Sequence, residues 1–218
     1  MKRLFVVAVV SLLTCGLFSI SEAQALSIPG LYNTGVNDSG VELSIGSVDN
    51  HYSLLTPSNA TVSSYVINNH SAWVAAPVGS EWIGPANGTA TGENGLYFYT
   101  TTFDLTGLDY TTASISGVWS ADNSVNLFLN GINTGLGTVG FSSLSPFTVS
   151  SGFITGVNTL EYRLTNDPVS SANPTGLLIS GLSGTAEAMP VSNAVPEPAT
   201  MVLLGAGLVG MALRRRKV

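Results

Sequence analysis

The stretch "SVNLFLNG" (residues 124–131) decides the fold class. Val125, Leu127 and Leu129 alternate with Ser124, Asn126 and Phe128, a period of two that puts the apolar set on one face of a strand. Asn130-Gly131 follows at once. Both residue types tolerate positive φ, so the pair reads as the type I′ turn of a hairpin. Working outward, "NTLEYRLTN" (158–166) alternates in the same way. Leu160, Tyr162 and Leu164 are predicted to face inward, with Glu161 and Arg163 sharing the outer face. "LYFYTTTFDL" (96–105) has the aromatic and Thr content of a strand, and "ASISGVW" (113–119) places Ala113, Ile115, Gly117 and Trp119 on one face. Asn87-Gly88 and Asn94-Gly95 add turns. No stretch between residues 26 and 188 holds a helical period over eleven residues. The expectation is an all-β domain over 26–188, a β-sandwich with jelly-roll topology.

Composition agrees. The chain has 218 residues, 24 of them Gly, and only 9% are charged. An average soluble domain carries about a quarter. Charge is also unevenly placed. Lys2 and Arg3 open the chain, Arg214, Arg215, Arg216 and Lys217 close it, and only Arg163 lies between. Of the 13 acids, all but Glu22 and Glu197 lie in the body, so eleven acids face one base there, a net charge of −10. Such a surface repels phosphate backbones and excludes nucleic acid as a partner.

The two ends read as addresses. "MKRLFVVAVVSLLTCGLFSISEAQA" (1–25) has a basic start, an apolar run from Leu4 to Phe18 and a small-x-small cleavage site at Ala23 and Ala25, the parts of a secretory signal helix. The only cysteine, Cys15, lies inside it. Thr14 before it and the apolar run beyond it argue against lipidation, so the mature chain is expected to start at Leu26 without cysteine. At the other end Pro196-Glu197-Pro198 precedes an apolar run from Ala199 to Leu213 and the basic tail 214–217. Fifteen residues fall short of the roughly twenty of a relaxed transmembrane helix. Snorkelling of the basic cluster compensates, and the same cluster stays on the cytoplasmic side of the inner membrane. Residues 189–195 form a linker.

Val-Pro-Glu-Pro, a short Gly-rich apolar helix and a terminal Arg cluster together resemble the PEP-CTERM sorting signal. The resemblance covers residues 195–218. It implies that an exosortase, a membrane-embedded cysteine transpeptidase of exopolysaccharide-producing Gram-negative bacteria, recognises Pro196, Glu197 and Pro198. The basic residues then act as a membrane stop, and the tail is an address that is removed. A second resemblance runs through residues 48–188. "SEWIGP", "YFYTTTFDLTGLD", "ASISGVWSADNSVNLFLNG", "FITGVNTLEYRLTND" and "NPTGLLISGLSGTA" are similar in pattern to PEP-CTERM protein bodies and to galactose-binding-like jelly rolls, the fold of many carbohydrate-binding modules. It implies the fold more firmly than a ligand.

Catalytic chemistry is sparse. His51 and His70 are the only histidines. "DNHYS" sets Asp49 and Ser53 near His51, but no Gly-x-Ser-x-Gly elbow exists. Asp104, Asp109 and Glu93 could supply a glycosidase pair only at the right separation. "GLGTVG" (135–140) matches a dinucleotide fingerprint, but "FSSLSPFTV" follows instead of a helix, so these glycines are expected to bend a loop. Trp82 and Trp119 offer faces on which sugars stack, although burial is the commoner fate of such rings. Asp122 and Asn123, at a strand end, are hard oxygen ligands suited to a structural calcium, or simply a solvated turn. The expected role is that of a non-enzymatic protein of the cell surface or exopolysaccharide matrix, structural or adhesive. A carbohydrate-binding module with a defined sugar site is the alternative, and a glycan-acting enzyme comes third.

Overall fold

The computed structural model describes residues 24–168, 173–189 and 198–214. Residues 24–189 form one compact unit. Its strands are β1 (Ala25–Ser27), β2 (Val48–Leu55), β3 (Thr61–Val66), β4 (Ile83–Gly84), β5 (Gly95–Asp104), β6 (Leu108–Asp122), β7 (Ser124–Leu129), β8 (Ile132–Val139), β9 (Ser145–Val149), β10 (Val157–Asn166) and β11 (Gly176–Ala188). Separately, α1 (Pro198–Arg214) is a helix of 17 residues. The expected signal helix lies outside the described residues.

The strand order is β8-β7-β10-β5-β2-β3-β4-β11-β6-β9, with β1 on β11. Every strand pairing is antiparallel. The ribbon folds over at the two-residue β4, which joins β3 to β11. One layer is therefore β8-β7-β10-β5-β2-β3 and the other is β9-β6-β11-β1. From β5 onward the chain crosses between layers at β6, β7, β9, β10 and β11. That crossing is the jelly-roll winding expected from the sequence. Trp119 of β6 meets Tyr162 of β10 edge-on with ring centroids 6.2 Å apart, which shows the two inner faces in contact.

Alternation sets the register. Leu160, Tyr162 and Leu164 of β10 and Val125, Leu127 and Leu129 of β7 are all buried, so a one-residue slip would turn both sets to solvent. The hairpin between β7 and β8 turns at Asn130 and Gly131, with φ of 53° and 79°. Gly117 faces the core as expected. A Cβ there would stand 3.1 Å from the ring of Phe147, so glycine makes room for the aromatic. One expectation needs correcting. Gly135 and Gly137 do not lie in a loop: they belong to β8, where the ladder with β7 shifts register between Asn126 and Phe128.

A second, smaller apolar cluster lies outside the sandwich. Ile67, Trp73, Trp82 and Leu178 pack together. Leu178 alternates with Leu177 and Ile179, which face the main core. Its outward side is buried because the long connection between β3 and β5 folds across it.

Candidate functional site

The tail comes first. Pro196, Glu197, Arg215, Arg216 and Lys217 lie outside the described residues. Pro198 opens α1, where its fixed φ suits a first turn, and Arg214 ends it. Leu203, Leu204, Leu208, Val209 and Met211 are all exposed along the helix. At 1.5 Å per residue its length is about 25 Å, short of a hydrocarbon core of about 30 Å. No helix among the described residues is long and apolar enough to cross a membrane. The expected span over 199–213 is thus not carried by the structure. At the front, Ala23 lies outside the described residues. Ala25 begins β1 opposite Glu187.

In the body, both candidate sugar platforms are inside. Trp119 is 1% exposed and Trp82 is 0% exposed. Trp119 packs tilted against Phe147 with ring centroids 4.7 Å apart in the main core, and Trp82, within the β3–β5 connection, lies 4.3 Å from Trp73. No sugar can lie on a ring face that protein atoms cover. The aromatic residue with a wider role, Trp73, had no signal in the sequence beyond its identity. Its Nε1 donates to Asp122 Oδ2 at 2.8 Å.

That bond also changes the meaning of Asp122. Its side chain is buried, 5% exposed. Burial raises its carboxyl above the usual carboxylate range, while the Trp73 bond pulls the other way. Asn123 Oδ1 accepts the backbone N–H of Asp167 at 2.8 Å. One oxygen of each residue considered for calcium, Asp122 Oδ2 and Asn123 Oδ1, thus holds a protein donor. Among the described residues, no three His, Cys, Asp or Glu side chains gather to hold a metal.

His51 is held rather than poised. Its ring stacks on Tyr32 at 3.7 Å. Its Nε2 lies 3.0 Å from Asp38 and its Nδ1 3.4 Å from buried Asp49. Ser53 Oγ donates instead to the Thr100 carbonyl on β5. Asp104 is exposed and Asp109 half-buried, and each accepts from the hydroxyl and N–H of a Thr two residues on. These bonds, the hydroxyl first, lower both carboxyls, the opposite of a general acid. A shallow pocket of about 280 Å³ lies between β8 and the segment after β9, lined by Leu129, Ile132, Leu136, Thr148 and Gly152. It includes none of the candidate residues.

The structure gathers one further group. Arg163 Nε donates to Glu161 Oε1 at 2.6 Å, on the outer face of β10 where alternation placed both. Arg163 Cζ stands 3.6 Å from the centroid of Phe128 and 5.4 Å from that of Phe98. Alternation alone could not name those rings, because they come from β7 and β5 through the strand register.

With this geometry in view, comparison resolves the chain's end. Residues 194–217 match the PEP-CTERM protein-sorting motif. The chain ends in a sorting signal. Such a signal implies export and recognition by exosortase, as the Pro-Glu-Pro triplet and basic tail led us to expect. Curated proteins yield no match. Among solved structures the body is similar to the CBM36-1 domain of a multidomain xylanase from the hindgut metagenome of Trinervitermes trinervoides. Identity is 15%, the match covers 78% of this chain and 100% of that domain, and the TM-score is 0.32. At that similarity the likeness speaks to neither ligand nor activity. The PEP-CTERM tail is therefore what bears on function.

Proposed function

We propose that this is a PEP-CTERM surface protein with a non-catalytic, structural or adhesive role in association with extracellular polysaccharide. The observation that carries the reading is the motif match over residues 194–217. Residues 1–25 direct export, 26–188 form the delivered domain, and 189–195 link it to the signal at 196–218. The apolar side chains exposed along α1 favour lipid over water as surroundings. A helix of this length suits a brief hold in the inner membrane while exosortase acts at Pro196, Glu197 and Pro198, with Arg214 to Lys217 as the stop. A non-catalytic body is supported by the engaged His51, the low carboxyls of Asp104 and Asp109 and the buried Asp122. Fractionation of the native host tests the reading. The protein should be recovered with surface and exopolymer fractions, and recovery in the cytoplasm would contradict it.

A further inference from the structure

The outer face of the β7-β10-β5 strands carries the one fixed cation of the domain. Arg163 is the only Lys or Arg between residues 24 and 189. On this face Arg163 stands opposite Asn126 of β7 and Phe98 of β5, and Glu161 stands opposite Phe128 and Thr100. The two rings and the Glu161 bond fix the guanidinium, so little rotamer freedom is left to lose on binding. Only Nε is engaged. Among the described residues Nη1 and Nη2 meet no acceptor, and Glu161 accepts on Oε1 alone. Asn126 beside them is exposed.

We propose that this patch binds a neutral polysaccharide, which names the ligand class and the site for the matrix-association reading and rests on that reading. A sugar hydroxyl both donates and accepts. Two neighbouring hydroxyls match guanidinium N–H donors set beside a free carboxylate oxygen, with the Asn126 amide and the Thr100 hydroxyl next to them. Charge selects among glycans. Arg163 and Glu161 together are neutral, which suits an uncharged ligand. The surrounding domain, at a net −10, opposes a polyanion. A polycation would be drawn to that acidic surface as a whole rather than to this neutral pair, so its binding would not depend on Arg163.

The test is affinity electrophoresis of the full chain in mild detergent, through native gels cast with dextran, galactomannan or xylan, and with polygalacturonate or chitosan as charged comparisons. At least one neutral polysaccharide should retard the wild type. Arg163→Met keeps an apolar stem on Phe128 and should weaken that retardation about tenfold, the scale of a lost hydrogen bond to a charged group. Asn126→Ala, at an exposed position, should weaken it several-fold with an unchanged urea midpoint. If Arg163→Met fails to fold, Asn126→Ala decides alone. Neutral-glycan retardation that survives both changes overturns the site and leaves matrix association standing. Retardation by polygalacturonate or chitosan only overturns the ligand class. No retardation by any neutral polysaccharide overturns the proposal, whereas matrix association itself stands or falls on the host fractionation.

Discussion

Trp73 and Asp122 lie 49 residues apart in sequence, yet the indole Nε1 of one donates to Oδ2 of the other at 2.8 Å inside the protein. The bond pins the β3–β5 connection to the end of β6. Asp122→Ala would leave that indole N–H buried without an acceptor. The expected cost is about 1–3 kcal/mol, read as a lower urea midpoint.

The same carboxyl has a pH signature. Burial raises it above the ordinary range, and burial raises buried Asp49 in the same sense against its bonds from Gly35 and His51. The folded state then holds these protons more tightly than the unfolded chain. Stability from these groups is therefore fully present below the ordinary carboxylate value and is lost as pH rises through the raised folded values. Asp122→Asn keeps an acceptor for Trp73 without the charge. Thermal midpoints between pH 4.5 and 7 should fall less steeply with rising pH in this variant than in the wild type. An identical slope would show that Asp122 does not titrate in that window.

Both buried tryptophans should behave as packing residues. Trp119→Ala and Trp82→Ala are each expected to cost roughly 3–5 kcal/mol by urea denaturation. A variant that keeps its full stability yet loses glycan binding would instead mark that ring as a binding platform.

Calcium should matter little. Asp122 Oδ2 and Asn123 Oδ1 already hold protein donors, whereas calcium takes about six to eight oxygens. Thermal midpoints with excess chelator and with millimolar calcium should coincide. A rise of several degrees with calcium would place a structural ion in the fold.

The hairpin turn offers a local check. Asn130 has φ of 53°, its amide donates to Gly152 O and Asn158 Oδ1, and its Oδ1 accepts from Thr159 N. Asn130→Ala loses these bonds and puts a Cβ without local hydrogen bonding in the left-handed region. The expected loss is about 1–3 kcal/mol by urea denaturation. Asn130→Gly should recover the backbone part only.

What the sequence revealed follows a physical line. β7 and β10 are half-buried on one side, so their period of two is visible in a single strand. Leu178 escapes that rule, because its burial depends on a loop about a hundred residues earlier in the chain. Trp73 and Asp122 were unlinked for the same reason. Glu161 and Arg163 could be assigned to one outer face, but Phe98 and Phe128 reach them only through pairings between strands that are distant in sequence. Tight motifs survive without a fold, and the tail was the clearest feature of the chain because its parts are contiguous.

The tail also gives the sharpest test. Pro196 and Pro198 favour an extended backbone that a groove can bind at low entropic cost, and Glu197 offers the triplet's one charge. Pro196→Ala with Glu197→Ala should leave full-length protein in the membrane fraction. Serine at 214–217 should let more unprocessed protein appear outside. The decisive measurement is mass spectrometry of the C-terminus of surface-localised protein from the native host. Processing by exosortase, as proposed, predicts a chain that ends near the Pro-Glu-Pro triplet. An intact Val218 on that protein would contradict it.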